Sequence, residues 1–154
     1  VCNFSSFRIP AGITTIEAGV FMGTKLTSIS IPTGVTAIGK EAFSGCPFLE
    51  EIHLPEGLTR IGEYAFFRCP AETIVLPDTL ETIEMFSFAE SSIAYLTIPA
   101  SVTHIERLAF ASCQLLDRIY FEDPSGWEGI DANKLSDPQQ AAQELRNCVT
   151  DLVK

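Results

Sequence analysis

The chain has no long apolar run, little basic charge and few of the side chains that carry hydrolytic or metal chemistry. Of its 154 residues two are histidine, two methionine and one tryptophan, and 10 Lys and Arg stand against 20 Asp and Glu. No apolar stretch approaches the roughly 18 residues that cross a bilayer, so no membrane insertion is expected of this segment. A formal net charge of −10 repels phosphate backbones and anionic lipid, which argues against a nucleic-acid partner. Neither His53 nor His104 is accompanied by a Gly-x-Ser-x-Gly nucleophile motif. Cys-x-x-Cys, His-Glu-x-x-His and acidic calcium-loop patterns are also missing, and no glycine run is placed to cradle a phosphate. No catalytic residue, metal or cofactor is therefore assigned, and both histidines read as exposed surface residues. The opening Val1-Cys2-Asn3-Phe4-Ser5 has no basic flank and no cleavage site. Starting partway through a repeat and without Met, it predicts a truncated or processed chain whose upstream residues held a signal peptide or further repeats.

What is present is one phrase repeated. Pro10, Pro32, Pro55, Pro77 and Pro99 each follow an apolar-rich segment, at steps of 22, 23, 22 and 22 residues. Fixed self-similarity in that range signals a solenoid, which grows by stacking coils. Counted from each proline, three residues on come Ile13, Val35, Leu58, Leu80 and Val102, and six on come Ile16, Ile38, Ile61, Ile83 and Ile105. Eleven on come Phe21, Phe43, Phe66, Phe88 and Phe110, expected to stack as an offset column. Cys46, Cys69 and Cys113 share the place fourteen on with Thr24 and Ser91, which favours buried small side chains over a disulfide. Cys2 and Cys148 lie outside that register, and stacking keeps the two ends of one chain apart.

Just before each proline the residues alternate, as in Leu49-Glu50-Glu51-Ile52-His53-Leu54, the period of a half-buried strand. This segment is the best strand candidate in each coil. Coil on coil, such strands pair in parallel as one narrow sheet, and each proline, lacking an N–H, ends the ladder. The pairs Thr33-Gly34, Glu56-Gly57 and Asp78-Thr79 follow as turns; because Thr79 and Ser101 replace glycine, a positive φ is not expected there.

Residues 1–122 thus read as a β-rich solenoid, a right-handed coil of about five repeats with a partial first coil. Glu122 stands where the next proline is due, and the repeat stops. Residues 123–154 read as a C-terminal capping segment. Asp123-Pro124-Ser125-Gly126-Trp127 is turn chemistry, Ser136-Asp137-Pro138 a helix start, and Ala141, Ala142, Leu145, Cys148, Val149 and Leu152 form one apolar helical stripe.

The phrase Ile-Pro-x-x-Val-Thr-x-Ile-Gly-x-x-Ala-Phe-x-x-Cys-x-x-Leu at residues 31–49, repeated with small changes from 9 to 121, closely resembles the BspA-like, or treponemal-type, leucine-rich repeat. The resemblance implies a secreted or surface-attached bacterial protein, extracellular and adhesin-like, that binds host or matrix protein or glycoprotein. Met85-Phe86-Ser87 and Ser91 depart from the pattern in one repeat.

The outward positions of the pre-proline segments are the candidate site. They are Ser28 and Ser30, then Glu51, His53, Thr73, Val75, Tyr95, Thr97, Arg118 and Tyr120. On parallel coils they form ladders, with tyrosines as aromatic anchors in a surface running from Glu51 to Tyr120. The resulting expectation is a non-catalytic protein- or glycoprotein-binding module; the second reading is a structural spacer. A monomer is expected, or weak edge-to-edge association through the first coil around Asn3 to Ile9.

Overall fold

The structure, a computed structural model, describes residues 4–122. The turn at Asp123–Trp127, the helix from Ser136, Cys2 and Cys148 lie outside the described residues.

Each coil makes one circuit of a parallel β-solenoid, and the proline marks a corner between two short extended segments. Past that corner run β1 (Thr15–Ile16), β3 (Ala37–Ile38), β5 (Arg60–Ile61), β6 (Thr82–Ile83) and β8 (His104–Ile105). They form an unbroken parallel sheet in the order β1-β3-β5-β6-β8, with Ile16, Ile38, Ile61 and Ile83 each in register with the isoleucine of the next coil. Before the corner lie β2 (Ser28–Ser30), β4 (Glu51–His53), β7 (Tyr95–Ile98) and β9 (Arg118–Phe121), which form two separate pairs, β2 with β4 and β7 with β9. Between the pairs, Thr73 makes only an isolated bridge to Tyr95.

This corrects the expectation of one sheet from the pre-proline segments. The physical reason is spacing. From proline to the inward isoleucine is six residues in every coil, so register is never lost. From the Thr/Cys/Ser position to the next proline position is eight residues in coils ending at Pro32, Pro77 and Pro99, but nine in those ending at Pro55 and Glu122. A ladder forms where eight is followed by nine, shrinks to a bridge where eight follows eight, and is absent where nine is followed by eight. At that gap Ala71 also takes the inward place that Leu26, Leu49 and Ile93 fill in other coils.

The corner itself is a turn closed by Val35 N–H donating to Pro32 O at 3.3 Å, and likewise in later coils. Gly12, Gly34 and Gly57 adopt φ of 93°, 102° and 97° there, contrary to the sequence expectation. Glycine at the third position allows the type II form, whereas Thr79 and Ser101, which are absent from the positive-φ residues, take the same corner without it. Thr79 compensates with its hydroxyl, which donates to Leu58 O and accepts from Gly57 N–H, both at 2.9 Å.

The third side is a run of tight turns from Gly19 to Thr24 and its counterparts. Alternate N–H groups close local turns or reach the next coil, as Phe21 N–H donates to Ala42 O at 2.9 Å and Phe43 N–H to Ala65 O at 2.8 Å. This alternation places two residues per coil in the left-handed region. Gly19, Glu41, Tyr64, Phe86 and Leu108 share one such position, and Gly23, Gly45, Arg68, Glu90 and Ser112 the other. Bulky side chains there are strained. Tyr64 and Phe86 offset that strain by stacking at 4.9 Å.

Inside, Phe21, Phe43, Phe66, Phe88 and Phe110 form the expected column, with successive centroids 5.1 to 5.6 Å apart. The Cys46, Cys69 and Cys113 thiols donate to the carbonyls of Phe21, Phe43 and Phe88 in the coil before, at 3.1 to 3.2 Å. All three are free cysteines. Burial pushes the Cys69 and Cys113 thiols above their ordinary range.

Candidate binding face

Strand alternation places the candidate side chains. In β4, Glu51 and His53 are exposed around buried Ile52; in β7, Tyr95 and Thr97 are exposed around buried Leu96. Tyr120 is exposed between buried Ile119 and Phe121. Thr73 and Val75 flank buried Ile74, and Val75 is the most exposed large apolar residue of the molecule's described part, at 82%. Arg118 pairs through its backbone with Tyr95, and Thr97 with Tyr120.

These outward residues do not share one ladder. Glu51 and His53 pair with Ser28 and Ser30, and the gap after β4 separates them from the rest. Val75, Tyr95, Thr97 and Tyr120 come together along an open groove of about 470 Å³, with Asp78 and Glu122 also in its wall. The two carboxylates were not in the sequence-derived set. They sit past the strand, one at the corner and one in the proline's place, and the acidic residues Glu56 and Asp78 one step after successive prolines were the available signal. Tyr95 and Tyr120 remain 56% and 47% exposed.

Three ion pairs elsewhere join successive coils. Lys40 Nζ lies 2.8 Å from Glu63, and Arg68 Nε 2.7 Å from Glu90. Glu84 holds Arg60 Nε at 2.6 Å through one oxygen and accepts the Glu63 N–H at 3.0 Å through the other. The hydrogen bond to Glu63, with its Coulomb attraction, pushes the Lys40 ammonium up from its ordinary value. His104 stands 3.9 Å from Glu106 on β8, whereas His53 belongs to β4 in another sheet, so the histidines form no relay. Among the described residues, no three His, Cys, Asp or Glu side chains are grouped to hold a metal ion.

A short parallel coil with one inward column per side, a continuous ladder on one side of a proline corner and an exposed strip on the other defines a leucine-rich repeat protein. The chain belongs to the BspA type leucine-rich repeat family, whose sequence model matches residues 1–117 in six copies. No curated protein matches it. Among solved structures it is similar to a leucine-rich repeat protein from Bacteroides ovatus, with 35% identity and a TM-score of 0.68 over 73% of this chain and 30% of that one. It is also similar to the pneumococcal vaccine antigen PcpA, with 25% identity and a TM-score of 0.63 over 72% of this chain and 27% of that one. A leucine-rich repeat protein of T. pallidum shares the fold at 23% identity, with a TM-score of 0.62 over 90% and 79% of the two chains. The chain thus spans about a third or less of the length of the first two.

Proposed function

We propose that the chain is a non-catalytic binding module of a surface or secreted protein, and that it recognises a protein or glycoprotein through the face before the proline corner. The observation that carries this reading is the groove itself. Proteins bury their tyrosines and valines where they can, yet Val75, Tyr95 and Tyr120 stand exposed along one groove, the two tyrosines by strand alternation. Exposed tyrosine offers area at small entropic cost, which suits a protein or glycan surface. The similarity to PcpA, a vaccine antigen, fits a position outside the cell.

The competing reading is a spacer that holds other domains apart. The short polar stretch Ser28, Ser30, Thr73 and Thr97 favours it. Saturable binding of the whole chain to a panel of extracellular-matrix glycoproteins and glycans separates the two, since a spacer binds none of them.

A further inference from the structure

We propose that Cys46 and Cys69 are an oxidisable pair, and that a small disulfide oxidant links them across the junction of consecutive coils where pre-proline pairing is missing.

Three observations lead there. The first is register. Both residues stand fourteen after a proline in consecutive coils, and stacked rungs lie about 4.8 Å apart, inside the roughly 4.4–6.8 Å between Cα atoms that a disulfide spans. Just before them Gly45 N–H donates to Phe67 O at 2.7 Å, which holds the two coils together at this place. At neighbouring steps of the same column the side chains already touch, Thr24 Oγ1 with Cys46 Sγ at 3.4 Å and Ser91 Oγ with Cys113 Sγ at 3.5 Å. Those steps join a thiol to a hydroxyl, whereas the step from Cys46 to Cys69 joins two thiols. The second is where that step falls. Cys46 belongs to the coil that ends in β4 and Cys69 to the coil of Thr73 and Val75, and between those two segments no strand pairing forms. A covalent link just upstream ties the coils where the ladder does not. Third, Ile52, Cys69, Ala71 and Ile74 line a narrow apolar void at this junction, opened where alanine replaces the larger side chains of other coils, so a sulfur can shift without displacing packed neighbours.

The oxidant is a small organic disulfide of the oxidised glutathione type, the class of reagent that secreted and surface proteins meet. One cysteine thiolate attacks it and releases one thiol; the other thiolate attacks the resulting mixed disulfide and releases the second. The pair thereby gives up two protons and two electrons, and the oxidant is reduced to two thiols. The thiol hydrogen bonds to Phe21 O and Phe43 O are lost in exchange for the S–S bond. In the closed, reduced chain both cysteines are buried and burial pushes the Cys69 thiol up, so the exchange takes place in chains whose coils are still closing or have opened.

The test refolds the full chain from urea in a mixture of oxidised and reduced glutathione, and in parallel with a phosphine reductant. After alkylation of free thiols in denaturant and digestion with trypsin, mass spectrometry is expected to find residues 41–60 joined to residues 69–107, with Cys113 alkylated. The linked chain is expected to melt about 5 °C or more above the reduced one, because the link restricts the unfolded chain. That difference is expected to vanish in Cys46→Ser and in Cys69→Ser, and amide exchange at Ile52 and Ile74, on either side of the gap, is expected to slow in the linked parent chain. Both thiols alkylated in the chain refolded with glutathione would overturn the inference, as would either one joined to Cys2, Cys113 or Cys148. A linked chain that melts at or below the reduced one would overturn it too, since the two coils would then not be placed to be joined. The peptide map is read on the parent chain and does not depend on how the serine variants fold.

Discussion

Phe43 and Phe66 lie one coil apart with ring centroids 5.3 Å apart and planes 3° from parallel, both almost fully buried. Phe66 stacks on Phe43 and Phe88, so its loss is felt in three coils. Phe66→Ala is expected to cost about 3–5 kcal/mol, measured by urea unfolding. A cost near that of an exposed-site change would show that the column does not carry the fold.

The left-handed positions invert the usual rule for glycine. Glu41 holds φ of 56° with no side-chain hydrogen bond or ion pair among the described residues, and Glu41→Gly is expected to stabilise by about 0.5–1 kcal/mol. Gly45, at φ of 65° in open space, is expected to lose about 1 kcal/mol on change to alanine. Thermal melts of both variants read the opposite signs.

Gly62 is a different case, because a Cβ there would lie 2.7 Å from Ile38 O and 2.8 Å from the Gly39 carbonyl carbon. Those atoms are backbone of the preceding coil and cannot rotate away. Gly62→Ala is expected to part the two coils at a cost of about 1–3 kcal/mol, with faster amide exchange at Gly62 N–H, which donates to Ile38 O.

Ser87 is fully buried and its hydroxyl has no partner among the described residues, where Ala42, Ala65 and Ala109 occupy the same place in other coils. Ser87→Ala is expected to gain about 1–2 kcal/mol in the same unfolding experiment.

Much of this architecture was legible from period alone. A step of 22 or 23 residues with isoleucine, phenylalanine and cysteine in phase fixed the inward columns, and outward alternation fixed Tyr95, Thr97 and Tyr120 on one face. The strands were harder. The continuous sheet is made of two-residue strands, too short to show alternation, whereas the longer alternating segments lose register where nine residues give way to eight. Left-handed Tyr64, Phe86 and Leu108 run against their own backbone preference, so local propensity hides them. Asp78 and Glu122 joined the site only because the corner folds them back beside the strands.

Cys69 ties stability to alkaline pH. Its folded thiol is raised above the unfolded value by desolvation, so the stabilisation is present below the ordinary thiol range near 9 and is lost as pH rises through it, when the unfolded chain releases a proton that the folded chain keeps. Melting temperature is expected to fall more steeply above that pH in the parent chain than in Cys69→Ser, and iodoacetamide is expected to label Cys69 only on unfolding.

The most direct measurement of the central claim compares two faces of one molecule. Binding of the parent chain to its best matrix glycoprotein is set against Tyr95→Ala with Tyr120→Ala on the groove, and against Phe67→Ala with Arg68→Ala on the turn side, where Arg68 lies over the Phe67 ring at 4.9 Å. Affinity is expected to fall about tenfold or more with the first pair and to stay unchanged with the second. Loss confined to the turn-side pair would contradict it.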